Sequence, residues 1–135
     1  MKRASAFSPG HVTGLFYMLD MEEDPLYCGS LGAGFSLKKG ALTSVMHNSA
    51  SESDLITINS REEREAPVSR KVIELFFNRA AIKPEGIRVV HNIETPQGSG
   101  FGSSGSGALS LAFALNRLYG DPLSAIEASR IAHTA

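Results

Sequence analysis

The sequence predicts a single α/β domain, and three observations point there. The first sixty residues alternate polar and apolar positions or run through small residues, as strands do. At Pro67 the apolar period lengthens to the helical spacing. Finally, a strand-like run, IRVVHNI, leads through a glycine-rich stretch, TPQGSGFGSSGSGALS at Thr95–Ser110, straight into an apolar helix. A chain of 135 residues with 42% apolar content is one domain's worth and long enough to bury a core.

Arg3–Ser8 form a short strand that opens into a turn at SPGHVTG, marked by Pro9 and Gly10, and Leu15–Asp20 continue as strand. Asp20–Pro25, DMEEDP, reads as a solvated loop. The adjacent carboxylates of Glu22, Glu23 and Asp24 point in different directions rather than at one cation. In GSLGAGFSL, Gly29–Leu37, small residues sit where a strand passes close to another backbone. Lys38–Gly40 then turn, and Ala41–Asn48 return as the hairpin partner. Ser49–Ser53 are loop, and Asp54–Ser60 are strand.

The helix predicted over Pro67–Ala81 places Val68, Val72, Leu75 and Phe76 at i, i+4, i+7 and i+8, with Pro67 in its first turn. Arg61, Arg64, Arg70 and Lys71 flank its start as solvated charges, and Lys83–Gly86 end it. Ile87–Ile93 are strand. Ala108–Tyr119 are apolar nearly all round, the mark of a buried helix. Ser124 and Glu127 make an S-x-x-E capping box, so a last helix starts near Ser124, with Ile126 and Ile131 on an exposed apolar face fit for association. There is no internal repeat.

Thirteen basic and fourteen acidic side chains leave a formal charge of -1, which excludes the global basic field of a nucleic-acid binder; any anion is bound locally. The single Cys28 excludes an internal disulfide and fits a reducing compartment. No apolar segment follows the basic N-terminus and no eighteen apolar residues run together, so a soluble, cytoplasmic protein without a membrane partner is expected. EASRIAHTA ends in mid-helical pattern with no stop signal, which reads as a truncated chain.

A glycine/serine run usually joins independent units. This one lies between a strand and a buried helix, the wrong place for a linker. Glycines entering a helix N-terminus instead bring free N–H groups and the positive end of the helix dipole to one point, where phosphate is the natural guest. Serine hydroxyls there can bond phosphate or join the oxygen shell of magnesium. Gly102–Gly107 have the Walker A glycine spacing, but Ala108 and Leu109 stand where Lys and Ser/Thr belong. Gly100, Gly102 and Gly105 spell G-x-G-x-x-G, yet no second strand ending in an acid follows. No G-x-S-x-G passes through any of these serines, which removes serine hydrolysis.

PQGSGFGSSGSG resembles the phosphate loop P-x-G-x-G-L-G-S-S-A of the GHMP kinases, with Phe101 for the usual Leu and Gly105 for the usual Ala. AFSPGHVTGLF, Ala6–Phe16, is similar to their Pro-Gly motif, with His11 where Lys or Arg is usual. The pairing of P-G-H-x-T-G with C-G-S-x-G-A-G-F, and the closing RIAHTA, resemble the pantoate-phosphorylating branch of archaea. The resemblance implies a two-layer α+β sandwich, a mixed sheet with helices on one side. It also implies ATP and Mg2+ as cofactors, pantoate as the suspected small-molecule substrate, and coenzyme A biosynthesis as the setting. Pro96, Gly98, Gly100, Gly102, Ser103, Ser104, Gly105 and Ser106 would form the ATP cradle, with Ser104 on magnesium and Ser103 a further phosphate ligand.

His11 and Thr13 are the candidate catalytic pair. His11 can hold a substrate carboxylate or hydroxyl, or stabilise phosphate when protonated. Ser30 and Gly32, with Gly34 beside them, are candidates for the substrate pocket, and tight strand packing accounts for the glycines equally well. His47, His91 and His133 lack metal-ligand spacing and read as surface or structural residues. The acidic magnesium ligand and base of the family come later than this sequence reaches. The expectation is an N-terminal domain lacking its C-terminal one, associating with that part or with another copy. Two readings stay open: a kinase domain, and a non-catalytic nucleotide-binding or assembly module.

Overall fold

Alternation along IRVVHNI turns Ile87, Val89 and His91 to one side of a strand, and all three are buried. That strand is the third of a five-stranded sheet in a computed structural model that describes residues 2–19, 23–24, 26–48 and 53–135. The elements are β1 (Arg3–Leu19), β2 (Gly29–His47), β3 (Leu55–Ile58), β4 (Arg61–Glu62), α1 (Pro67–Ala80), β5 (Ile87–Ile93), α2 (Ser103–Leu118) and α3 (Ala125–Thr134). The strand order is β1-β2-β5-β3-β4. β3 pairs parallel to β5 and every other pairing is antiparallel, so the sheet is mixed. Ala4, Val45, Ile56, Ile87 and Val89 meet Val72, Ile73, Phe76 and Phe77 of α1 and Leu111 and Leu115 of α2 in one core. Ile131 of α3 joins the same core. This is the two-layer α+β arrangement the sequence led one to expect.

Several elements differ from the sequence reading. Gly29–Leu37 and Ala41–Asn48 are not two arms of a hairpin; they are one continuous strand, β2, whose partner is β1. Gly40 looks like a turn residue, but it faces Pro9 across the pair, where any Cβ would strike the Ser8 carbonyl. Its glycine is there for close approach. SPGHVTG is likewise no turn. β1 runs through it, with register breaks between Pro9 and His11 and between Thr13 and Leu15. β4 has no counterpart in the sequence reading: Asn59 and Ser60, both at positive φ, turn β3 back onto it.

α1 and β5 match their predicted spans to within a residue, and the predicted capping box of Ser124 and Glu127 starts α3. α2 starts five residues earlier than predicted, at Ser103. Ile126 is exposed as expected, but Ile131 is buried. The acidic loop read over Asp20–Pro25 and the polar loop over Ser49–Ser53 lie mostly outside the described residues. No helix among the described residues is long and apolar enough to cross a membrane.

Candidate functional site

β5 delivers the chain to the glycine stretch. The Glu94 N–H donates to the Gly40 carbonyl at 2.9 Å, fixing the strand end, and the loop then turns through Gly98, Gly100 and Gly102 at φ of 72°, 77° and 65°. These are left-handed conformations that only glycine adopts without strain. Gly102 caps α2 without a side-chain bond, and the first turn holds no acid. The N–H groups of Ser103, Ser104 and Gly105 therefore have neither an intrahelical partner nor a neutralising carboxylate, while the Ser106 N–H already bonds the Gly102 carbonyl. A Cβ on Gly98, Gly100 or Gly105 would meet nothing within 4 Å, so the loop is open to a ligand. The donor set fits an anion such as the phosphates of ATP.

The serines divide by task. The Ser103 hydroxyl donates to the Pro96 carbonyl at 3.1 Å and accepts from Thr95 at 3.0 Å; the Ser106 hydroxyl donates to the Gly102 carbonyl at 2.8 Å. Both side chains are buried and shape the loop. Ser104 alone of the three is exposed, with its hydroxyl unbonded among the described residues and free to meet a cation or phosphate.

His11 joins this loop directly. Its N–H donates to the Phe101 carbonyl at 3.1 Å, and its ring occupies the space a Cβ on Gly102 would need. The Pro-Gly motif and the glycine loop, far apart in sequence, are thus one structure. Thr13 follows on β1, exposed, opposite Gly34. Ser30 and Gly32 face Met18 and Phe16 further along the β1–β2 ribbon than His11, which pairs with Ser36, and close to where the Cys28 carbonyl accepts from His133 Nε2 at 3.1 Å. A Cβ on Gly32 would stand 2.5 Å from the Leu15 carbonyl, which accounts for the glycine by packing.

Two groups escaped the sequence reading. Pro9 pairs with Gly40 and His11 with Ser36, so Leu37, Lys38 and Lys39 bulge opposite Gly10, whose Cβ position lies 3.0 Å from the Phe101 carbonyl. This sets two exposed lysines, neither paired with an acid among the described residues, beside the loop. Their sequence, KKG, has the look of a turn, and only strand register reveals the bulge.

The second is a cavity of about 330 Å³ between the N-termini of α1 and α2, with Ile58, Pro67, Val68 and Ala108 among its apolar walls and Glu63, Glu65, Ser69, His91 and Gln97 as its polar lining. Ser103 and Ser104 open into it, so it is continuous with the loop. Burial lowers the His91 pKa to about 4, which keeps the ring neutral near pH 7. Among the described residues no three His, Cys, Asp or Glu side chains converge as a metal site.

Comparison with known proteins agrees with this geometry. Pantoate kinase of Thermococcus kodakarensis is 31% identical over 137 residues, covering 96% of this chain and 43% of that protein. Pantoate kinase of Methanospirillum hungatei is 34% identical over 140 residues, covering 98% and 45%. The chain thus spans less than half the length of these relatives. A solved phosphotransferase related to the CoA biosynthesis pathway superposes with a TM-score of 0.83 at 30% identity, over 98% of this chain and 44% of that one. A homoserine kinase from Cytophaga hutchinsonii shares the fold, with a TM-score of 0.66 at 19% identity over 98% of this chain and 42% of its own. The family model for the GHMP kinases N terminal domain matches residues 68–135, which is half of the chain and takes in nearly all of α1, then β5, the glycine loop, α2 and α3. This chain belongs to the GHMP kinase family.

Proposed function

We propose that this chain is the nucleotide-binding part of an ATP-dependent kinase that phosphorylates a small alcohol, with pantoate as the acceptor. The observation that carries the reading is the uncapped, acid-free N-terminus of α2, presented by three left-handed glycines beside a cavity large enough for a base. Phosphoryl transfer needs mostly positioning and charge stabilisation, and the free N–H groups of Ser103, Ser104 and Gly105 offer both to the phosphates. Magnesium-ATP supplies the transferable phosphoryl group. The Ser104 hydroxyl is the oxygen at the loop fit to reach the metal. Pantoate carries a carboxylate and hydroxyls, and His11, with Thr13 next on its strand, orients the attacking hydroxyl against the loop. Ser30 and Gly32 belong to the acceptor pocket. The choice of pantoate rests on the two pantoate kinases that align with nearly the whole chain. In this reading the protein is cytoplasmic and works without nucleic acid or membrane.

Calorimetric titration of magnesium-ATP into wild type, Ser104→Ala and Gly102→Val tests it, with pantoate added afterwards and product assayed. Wild type is expected to bind, Ser104→Ala to bind about tenfold more weakly, and Gly102→Val to lose binding because its side chain displaces the His11 ring. A folded wild type that takes no nucleotide would overturn the reading. Binding without transfer to any alcohol would instead favour a nucleotide-binding module.

A further inference from the structure

The glycine loop meets an anion with partial charges alone. From Thr95 to Ser110 there is no Lys or Arg, and the open end of a helix offers about half an elementary charge, far less than the phosphates of a nucleotide carry. The bulge on β2 brings full positive charge to the side of the loop nearest His11. There Leu37, Lys38 and Lys39 stand opposite Gly10 alone. Two backbone bonds tie this junction to the loop: the Glu94 N–H donates to the Gly40 carbonyl at 2.9 Å, and the His11 N–H donates to the Phe101 carbonyl at 3.1 Å. Gly10 lies between them. A Cβ there would stand 3.0 Å from the Phe101 carbonyl oxygen and 3.3 Å from the Lys39 carbonyl oxygen, so the backbones of Lys39 and the loop meet across a residue with no side chain. Lys39 is exposed, and Glu94, the acid beside the bulge, forms no ion pair with it or with Lys38. Extra residues in one strand leave ladder groups unpaired and re-aim a side chain, a device that recurs next to active sites.

We propose that Lys39 binds the terminal phosphate of the nucleotide, its ammonium passing Gly10 to the side of the loop where His11 stands. The proposal rests on the reading that the loop holds nucleotide phosphates. The N–H groups of Ser103, Ser104 and Gly105 meet those phosphates at the end of α2, whereas the bulge approaches from the strands that carry His11 and Thr13. The phosphate on that side is the one next to the acceptor, and hence the terminal one. An ammonium on a flexible four-carbon stem suits the task, because a charge-assisted hydrogen bond to phosphate is roughly twice as strong as a neutral one. Of the two lysines, Lys39 is the one whose carbonyl stands against Gly10, which makes Lys38 the internal control.

The test compares binding of magnesium-ATP and magnesium-ADP, which differ by the terminal phosphate, in wild type and four variants. Wild type is expected to prefer ATP. Lys39→Met should weaken ATP binding about tenfold and leave ADP binding unchanged, so that the preference shrinks by the same factor. Lys39→Gln should repeat this result with a polar side chain, and it decides the matter if Lys39→Met does not fold. Lys39→Arg should keep most of the preference, and Lys38→Met should leave it within about twofold of wild type. Added salt should weaken ATP binding by wild type more steeply than by Lys39→Met. Equal binding of the two nucleotides by wild type overturns the proposal and leaves the kinase reading standing. So does an unchanged preference in Lys39→Met, an equal loss of ATP and ADP there, or the same loss in Lys38→Met. A folded wild type that binds neither nucleotide overturns both.

Discussion

His91 is buried with both ring nitrogens hydrogen-bonded, and that environment has a measurable consequence. Burial lowers its pKa from 6.5 to about 4, so the unfolded chain takes up a proton at a higher pH than the folded one. Stability from this group is complete above about pH 6.5, declines as pH falls, and is lost by about pH 4, a total of roughly 3 kcal/mol. Urea denaturation of wild type and His91→Gln at pH 7 and pH 4.5 checks this. The wild-type midpoint is expected to fall more steeply with acid than that of the variant, whose amide does not titrate. Parallel losses in the two proteins would place the acid sensitivity elsewhere.

At the scale of elements, the N-terminal turn of α2 depends on side chains rather than on propensity. Ser103–Gly107 contain two glycines and three serines, poor helix formers, yet the helix starts there. Ser103 tethers the turn to Thr95 and Pro96, and Ser106 ties back to Gly102. Ser103→Ala should therefore destabilise the protein by about 1–2 kcal/mol, since it also leaves the buried Thr95 hydroxyl without that partner. Exposed Ser104→Ala should be nearly neutral in stability while weakening nucleotide binding. Urea midpoints and amide exchange at Ser104 and Gly105 separate the two, and equal destabilisation would contradict the division of labour. The same contrast explains what the sequence could reveal. α1 was legible from its spacing, α3 from its capping box, and the phosphate loop from its glycines, because each cause lies within a few residues. The start of α2 was hidden by residues that act through burial. β2 was misread because the reason for Gly40 is Pro9, on another strand. The cavity was invisible for a similar cause: Ser69 and His91 lie 22 positions apart and meet only when β3, α1 and β5 assemble.

For the whole molecule, the far half of the β1–β2 ribbon meets α3 through His133 and the Cys28 carbonyl yet leaves most of its large side chains bare. Leu15, Phe16, Tyr17 and Met18 are 57–70% exposed, and Leu31 and Phe35 on the facing strand are 65% and 63% exposed. These side chains alternate between the two faces of the ribbon, so each face carries part of this bare apolar surface. β1 is also an edge strand, and between Ala4 and Leu19 it carries no Lys, Arg, Asp or Glu to discourage pairing. Of the association surface expected on α3, Ile131 lies in the core and only Ile126 remains outside. The isolated chain is expected to self-associate: light scattering should give a mass that rises with concentration above that of the monomer, and an apolar dye should bind. Phe16→Thr with Phe35→Thr should lower both signals and leave the thermal midpoint nearly unchanged, because neither ring contributes to the core. Ile126→Thr should change neither signal. If instead Ile126→Thr dissolves the assembly and the ribbon variant does not, α3 is the contact and the ribbon's apolar residues serve some other surface.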